Sequence, residues 1–242
     1  SLPNALPDED VMLKEVDLSE EQRKAVDGIL AEKSGSFYLY GITGSGKTEV
    51  YLRLASKLLA LGQGVIYLVP EISLTHQIVA EARRRFGDAV SVWHSRITPS
   101  QKLKEWRRIR DGEARFVIGA RSAVFAPVAD LGLIIIDEEH EGSYKSGSSP
   151  RYHARQVAQY RIAEIGGRLV MGSATPSVEA IHLMEAGRLK EYRLTQRLAG
   201  GSEPLMRIVE MRGEKGILSA ELQRALMRCL QDQRQAILFL NR

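Results

Sequence analysis

Apolar residues fall along this chain in short unbroken runs. Phe37 to Tyr40, Val65 to Val69, Phe116 to Ile118, Leu133 to Ile136 and Leu169 to Met171 are apolar at every position, and a weaker run spans Ala89 to Trp93. Runs of this kind suit strands buried on both faces, as in a parallel sheet. The stretches between them predict helices over Thr48 to Leu61, Ser73 to Phe86, Pro99 to Arg110 and Arg155 to Ile165. An earlier helix opens at Ser19-Glu20-Glu21-Gln22 and runs to about Lys33. In Pro99 to Arg110, Leu103 and Trp106 stand three apart and are expected to form the buried stripe. Strand then helix, repeated, predicts an α/β fold of three layers, with a mostly parallel central sheet and right-handed crossovers. No internal repeat or low-complexity tract interrupts it.

The pattern also sets boundaries. Residues 1–18 are Pro-rich and acidic and read as an arm or linker. Residues 19–194 carry the repeating pattern. Residues 195–242 read as a linker, marked by Gly200-Gly201-Ser202-Glu203-Pro204, and the start of a second lobe. That start has an expected strand (Met206 to Val209), helix (Ser219 to Leu230) and strand (Ala236 to Leu240), too little chain to bury a core alone. The chain opens without Met and stops on Asn241-Arg242, so it is expected to be a fragment.

Composition narrows the classes. Of 242 residues, 44% are hydrophobic and 26% charged, which excludes a disordered tail and a collagen-like repeat. One cysteine, Cys229, excludes an internal disulfide and a cysteine-rich zinc site, and suits a reducing, cytoplasmic setting. No apolar run approaches the roughly 20 residues that span a bilayer. Lys plus Arg total 34 against 30 Asp plus Glu, a net charge of +4 that leaves local basic patches possible without a general basic coat. Arg83-Arg84-Arg85 and Lys102, Lys104, Arg107, Arg108 and Arg110 are read as solvated helix faces.

Two segments carry chemistry. Gly41-Ile42-Thr43-Gly44-Ser45-Gly46-Lys47-Thr48 is a complete P-loop between a predicted strand and a predicted helix. Glycines such as Gly41, Gly44 and Gly46 let the backbone N–H groups of the loop, Thr43 and Ser45 included, turn toward phosphates. The helix N-terminus adds partial positive charge. Lys47 reaches the β- and γ-phosphates and the Thr48 hydroxyl ligates Mg²⁺. The second segment, Leu133 to Ile136 followed by Asp137-Glu138-Glu139-His140, sets acids at the carboxyl end of a buried strand, where parallel sheets bind ligands. Asp137 is expected to hold Mg²⁺ through water, and Glu138 to orient and deprotonate the attacking water. The cofactors implied are ATP and Mg²⁺.

Together the P-loop and Asp137-Glu138-Glu139-His140 resemble superfamily-two helicases and translocases. Further segments narrow the resemblance to the PriA family of bacterial replication-restart helicases (primosomal protein N′). They are Val69-Pro70-Glu71-Ile72-Ser73-Leu74-Thr75, Gly119-Ala120-Arg121-Ser122-Ala123, Glu141-Gly142-Ser143-Tyr144-Lys145, Pro150-Arg151-Tyr152-His153-Ala154-Arg155, Gly172-Ser173-Ala174-Thr175-Pro176-Ser177 and Ile237-Leu238-Phe239-Leu240-Asn241-Arg242. The resemblance covers about residues 19–242 and implies a RecA-like motor lobe, residues 19–194, followed by the truncated start of a second.

The resemblance also implies roles. Gln22 would contact adenine, although Ser19-x-x-Gln22 is equally a capping box. His140 and Ser173-Ala174-Thr175 would couple the nucleotide site to the nucleic-acid site, with Pro176 alternatively opening a helix. Ser73, Thr75, His94, Ser95, Arg121 and Ser122 would grip single-stranded DNA through phosphate contacts, with His94 otherwise a loop histidine. Tyr144, Lys145, Arg151, Tyr152 and His153 would form an aromatic and cationic DNA-binding loop, with a tyrosine at a loop end otherwise a packing anchor. Single-stranded or forked DNA, the primosome and single-strand-binding proteins are the implied partners, and a monomer without membrane attachment is expected. Arginines from the second lobe would complete the site, and the family's zinc cysteines would follow in that lobe, leaving no zinc in this chain. Competing readings are another translocase or RNA helicase of the superfamily, and a nucleotide-switched DNA-binding scaffold.

Overall fold

The computed structural model describes residues 17–71, 76–94, 97–198, 205–212 and 216–239. The chain divides into two compact units, Ser1–Gly200 and Gly201–Arg242. The first holds a seven-stranded sheet of β1 (Gly35–Gly41), β2 (Gly64–Leu68), β3 (Val90–Trp93), β4 (Phe116–Gly119), β5 (Leu131–Asp137), β6 (Arg168–Ser173) and β7 (Lys190–Leu194). Strand order is β3-β4-β2-β5-β6-β1-β7, and every pairing in it is parallel.

Six helices cover it: α1 (Glu20–Ala31), α2 (Lys47–Ala60), α3 (His76–Phe86), α4 (Pro99–Arg110), α5 (Ala154–Ile165) and α6 (Val178–Glu185). Successive strand side chains point to opposite faces, so each strand feeds two cores. Phe37 and Leu39 of β1 pack with α1, α2 and α3, while Tyr38 packs on the face covered by α4, α5 and α6. This two-sided burial explains why the strands are apolar throughout, each fully buried Leu, Ile or Val contributing about 1.5–3 kcal/mol. The observed α/β fold, with helices on both sides of a parallel sheet, agrees with the expected three layers.

Four details of the first unit differ from the sequence pattern. In α4 the buried residue is Ile109, one turn beyond the expected stripe. Leu103 is half exposed, and Trp106 is partly exposed with the Arg110 guanidinium 5.1 Å from its ring centre. β7 has no apolar run because Lys190-Glu191-Tyr192-Arg193-Leu194 is an edge strand with one open side. The helix after β6 starts at Val178 with Ser177 as its N-cap, so Pro176 lies outside it. Thr195 and Leu198, assigned to the linker by pattern, are hydrogen-bonded to Glu21 and to Gly44 O of the first unit.

In the second unit α7 (Ala220–Gln231) forms much as expected. Residues 205–211 and 234–239 adopt no strand, contrary to expectation. A strand needs a neighbour for its N–H and C=O groups, and among the described residues of the second unit no other strand is present to receive them. The remaining expectation, Leu240, falls outside the described residues.

Candidate active site

All the chemistry sits at the carboxyl edge of the sheet. There β1 ends in the P-loop, β5 in Asp137-Glu138, and β6, which runs between them, in Ser173.

The P-loop is folded for phosphate. Gly44 and Gly46 have φ of 81° and 78°, the left-handed region that favours glycine. A Cβ on Gly46 would meet Gln22 Nε2 at 2.4 Å. Gly46 also N-caps α2, which is the one α-helix among those with a described N-cap to lack a side-chain cap. Its first-turn N–H groups are thereby left to a ligand. The Ser45 hydroxyl is buried without a hydrogen-bond partner. Lys47 Nζ donates to Gly41 O at 2.9 Å and lies 3.7 Å from Glu138 Oε1, bridging the two halves of the site.

Gln22 braces this loop. Its Oε1 accepts from Ser19 N at 2.9 Å, completing the capping box of α1. Its Nε2 donates to Ser45 O at 3.2 Å and Gly46 O at 3.3 Å. The capping-box reading of Ser19-x-x-Gln22 is the one seen, and the same side chain also touches the P-loop.

The acids have separate surroundings. Asp137 Oδ1 accepts from Glu138 N at 3.0 Å, and Oδ2 accepts from Tyr67 Oη at 3.1 Å. Burial, then the neighbouring Glu138 charge, raises the Asp137 pKa to about 6, opposed by Lys47 and these two bonds. Glu138 has φ of 47°, a strained backbone for a glutamate. Its Oε2 accepts from Ser173 Oγ at 3.1 Å, which leaves Oε1 toward Lys47. Ser173 is fully buried and also bonds His140 Nδ1 at 2.7 Å while accepting from Thr175 N at 2.9 Å. With Nδ1 unprotonated, His140 competes with Glu138 for the single Ser173 proton; with Nδ1 protonated, it donates to Ser173 and the two bonds coexist. His140 thus contacts Ser173 and Thr175, with Ala174 between them in sequence.

Glu139 was quoted only as part of a motif, yet it anchors a buried network. It ion-pairs with Arg155 and accepts from Ser177 Oγ at 2.9 Å and Tyr38 Oη at 3.4 Å. No motif names Tyr38, Tyr67, Arg155 or Ser177 as polar partners. A fully apolar run containing tyrosine was the available signal for the first two, since buried phenols seek acceptors.

The expected DNA residues fare differently. Tyr144 is 1% exposed, and its hydroxyl lies 2.6 Å from Asp137 O and 3.2 Å from Leu68 O. It is a core anchor, and base stacking is corrected to packing. Arg121 Nη1 donates to Lys145 O at 2.7 Å and Ser143 O at 3.1 Å, with its guanidinium 5.5 Å from the Tyr152 ring centre. Tyr152 packs edge-on to Phe125 at 4.9 Å. His153 N-caps α5, its Nδ1 accepting from Arg155 N at 3.2 Å, and burial lowers its pKa, aided by Arg155. Lys145 and His153 also form an antiparallel bridge. Lys145, Arg151 and Ser122 are exposed and His94 is partly so. Ser73, Thr75 and Ser95 lie outside the described residues.

The donor set fits the implied group. Thr48 and Asp137 offer the hard oxygen ligands that Mg²⁺ takes, and the buried Ser45 hydroxyl is left unpartnered in the P-loop. Among the described residues no group of His, Cys, Asp and Glu forms a further metal cluster, and no helix is long and apolar enough to cross a membrane.

The chain matches the model of the DEAD/DEAH box helicases over residues 19–183. It is 53% identical over 226 residues to replication restart protein PriA of Treponema pallidum (strain Nichols), covering 93% of this chain and 34% of that protein. It is 43% identical over 248 residues to that of Bacillus subtilis (strain 168), covering 98% and 31%. The chain thus spans about a third of the length of these curated relatives. Among solved structures, RecG bound to a three-way DNA junction is similar with a TM-score of 0.55 and 25% identity, covering 78% of this chain and 25% of that one. The DUF1998 helicase MrfA is similar in fold, with a TM-score of 0.63 and 19% identity, covering 93% and 36%. The sheet and these neighbours make the first unit a RecA-like lobe. The chain belongs to the DEAD/DEAH box helicase family.

Proposed function

We propose that this chain is the ATP-binding motor lobe of a longer replication-restart DNA helicase, coupling ATP hydrolysis to movement on single-stranded DNA. The observation that carries this reading is the convergence of Lys47, Glu138 and Ser173 from β1, β5 and β6 on one edge. The similarity to replication restart proteins over nearly the whole chain supports the substrate and setting.

In the proposed reaction Lys47 leaves Gly41 O and Glu138 for the β- and γ-phosphates of ATP. Glu138 Oε1 is then free to hold the attacking water, with Oε2 kept in place by Ser173. Thr48 and Asp137 would hold Mg²⁺, which would supply neutralisation of the phosphate charge. If Ser173 turns its proton to His140, Glu138 loses a donor, which links the acid to the loop that follows it. Adenine contact by Gln22 requires it to exchange its bonds to Ser45 O and Gly46 O, since both its amide hydrogens are committed.

Exposed Lys145, Arg151 and Ser122, with His94 and the segments holding Ser73, Thr75 and Ser95, are the proposed DNA-facing set. Primosome and single-strand-binding proteins are the proposed partners, and cytoplasmic action as a monomer the proposed setting. ATPase of the full-length protein with and without forked DNA tests the reading. Strong stimulation by forked DNA is expected, and a rate indifferent to DNA would overturn it. The isolated chain is expected to bind nucleotide weakly and hydrolyse it slowly, because a second lobe would supply the remaining arginines.

A further inference from the structure

Four buried tyrosines, Tyr38, Tyr51, Tyr67 and Tyr144, lie beneath the acids. Tyr67, fully buried in β2, stands apart from the others because it touches both proposed Mg²⁺ ligands. Its hydroxyl donates to Asp137 Oδ2 at 3.1 Å. The Thr48 side chain lies beside the same phenol.

The chemistry of a hydroxyl ligand gives this contact a consequence. Threonine has one proton and two lone pairs. To offer a lone pair to a cation it must point its proton elsewhere. Tyr67 is an acceptor on the buried side of Thr48, and its own proton is already committed to Asp137. A Thr48 proton turned toward Tyr67 therefore continues one way only, from Thr48 O–H to Tyr67 O–H to Asp137 Oδ2. Each donor is directed inward, which leaves the Thr48 oxygen open outward and fixes the Asp137 carboxylate in rotation. Outer partners of this kind change metal affinity about 10–100-fold when removed.

We propose that Tyr67 is a positioning residue that orders the Thr48 proton and the Asp137 carboxylate, and so sets the Mg²⁺ affinity of the nucleotide site. The inference rests on the ATPase reading above. Tyr51 supplies the control. Its ring lies 5.7 Å from that of Tyr67, it is as deeply buried, and its hydroxyl has no hydrogen-bond partner.

The test is a Mg²⁺ titration of fluorescent ATP-analogue binding to the full 242-residue chain, repeated in chelator. Tyr67→Phe is expected to raise the Mg²⁺ concentration at half-saturation about tenfold or more, with binding in chelator unchanged. Tyr51→Phe is expected to leave both unchanged. An unmoved Mg²⁺ midpoint in Tyr67→Phe, or an equal shift in Tyr51→Phe, overturns the inference while the ATPase reading stands. An unsubstituted chain whose nucleotide binding ignores Mg²⁺ overturns both.

Discussion

The carboxyl edge of the sheet has two halves of different character. Over β5, β6 and β1, the polar side chains at the strand ends point at one another across a small space: Lys47 to Glu138, Glu138 to Ser173, Ser173 to His140. Around Arg121 and the loop after β5, several of the expected DNA residues are turned back into the fold, while Ser122, Lys145 and Arg151 stay exposed. Arg121 staples the loop after the acids, Tyr144 fills the core, and His153 caps α5. The nucleotide half must preorganise charges around a compact ligand, so its geometry lies in short bonds. A half that grips a strand needs exposed cations on a rigid support, and here the motif residues form mostly the support.

The largest effects are expected in the first half. Lys47→Ala removes at least two charge-assisted bonds to phosphate of about 1.5–3 kcal/mol each, so nucleotide affinity should fall more than about 100-fold. Glu138→Gln should keep binding and lose hydrolysis by about 10²–10⁴-fold. Nucleotide titration and single-turnover hydrolysis separate the two. Equal loss of binding in both variants would break the assignment of distinct roles.

Arg155→Ala probes the boundary between the halves. It leaves Glu139, whose side chain is 1% exposed, with two hydroxyl donors and a backbone N–H but no cation. Breaking a buried pair from one side costs about 3–5 kcal/mol. Chemical denaturation should register that loss. A variant that unfolds like the unsubstituted chain would make Arg155 dispensable to the frame.

The sequence exposed the two halves unequally for a physical reason. P-loop spacing is dictated by the phosphates, so Gly44, Gly46, Lys47 and Thr48 could be placed before any coordinates. The sheet was visible because strands buried on both faces must be apolar. β7 escaped because an edge strand can be charged on its open side, and the second-unit strands failed because the described residues of that unit offer no neighbouring strand to pair with. Partnerships such as Tyr67 with Asp137, or Glu139 with Arg155, join distant segments and leave no local spacing. Tyr144 looked the same on paper as a stacking residue and as an anchor, since the choice depends on which way the loop turns.

That choice is measurable. Tyr144→Phe keeps a ring but loses the hydroxyl shared by Asp137 O and Leu68 O, and should cost about 1–2 kcal/mol of stability with single-stranded DNA affinity unchanged. Lys145→Ala and Arg151→Ala should do the reverse. Each should leave stability alone and lower the salt slope of single-stranded DNA binding by about 0.7. A salt slope that moves for neither cation would remove this loop from the DNA-facing surface altogether.

The smallest effect separates cap from contact at His153. As a cap, its neutral Nδ1 accepts from Arg155 N, and burial together with Arg155 holds its pKa below the usual 6.5, against the opposing charges of Glu139 and Glu179. The unfolded chain therefore takes a proton first on acidification. Stability contributed by this residue should fall as pH drops through 6.5 toward the lowered folded value, then level off. His153→Asn keeps a capping acceptor without titrating, so it should flatten that slope. The difference is about 0.5 kcal/mol, at the low end for caps because the site is partly solvated. Denaturation midpoints of both proteins at pH 7.5 and 5.5 measure it. An Asn variant that follows the same pH dependence, or that loses DNA affinity, would return His153 to the nucleic-acid half of the edge.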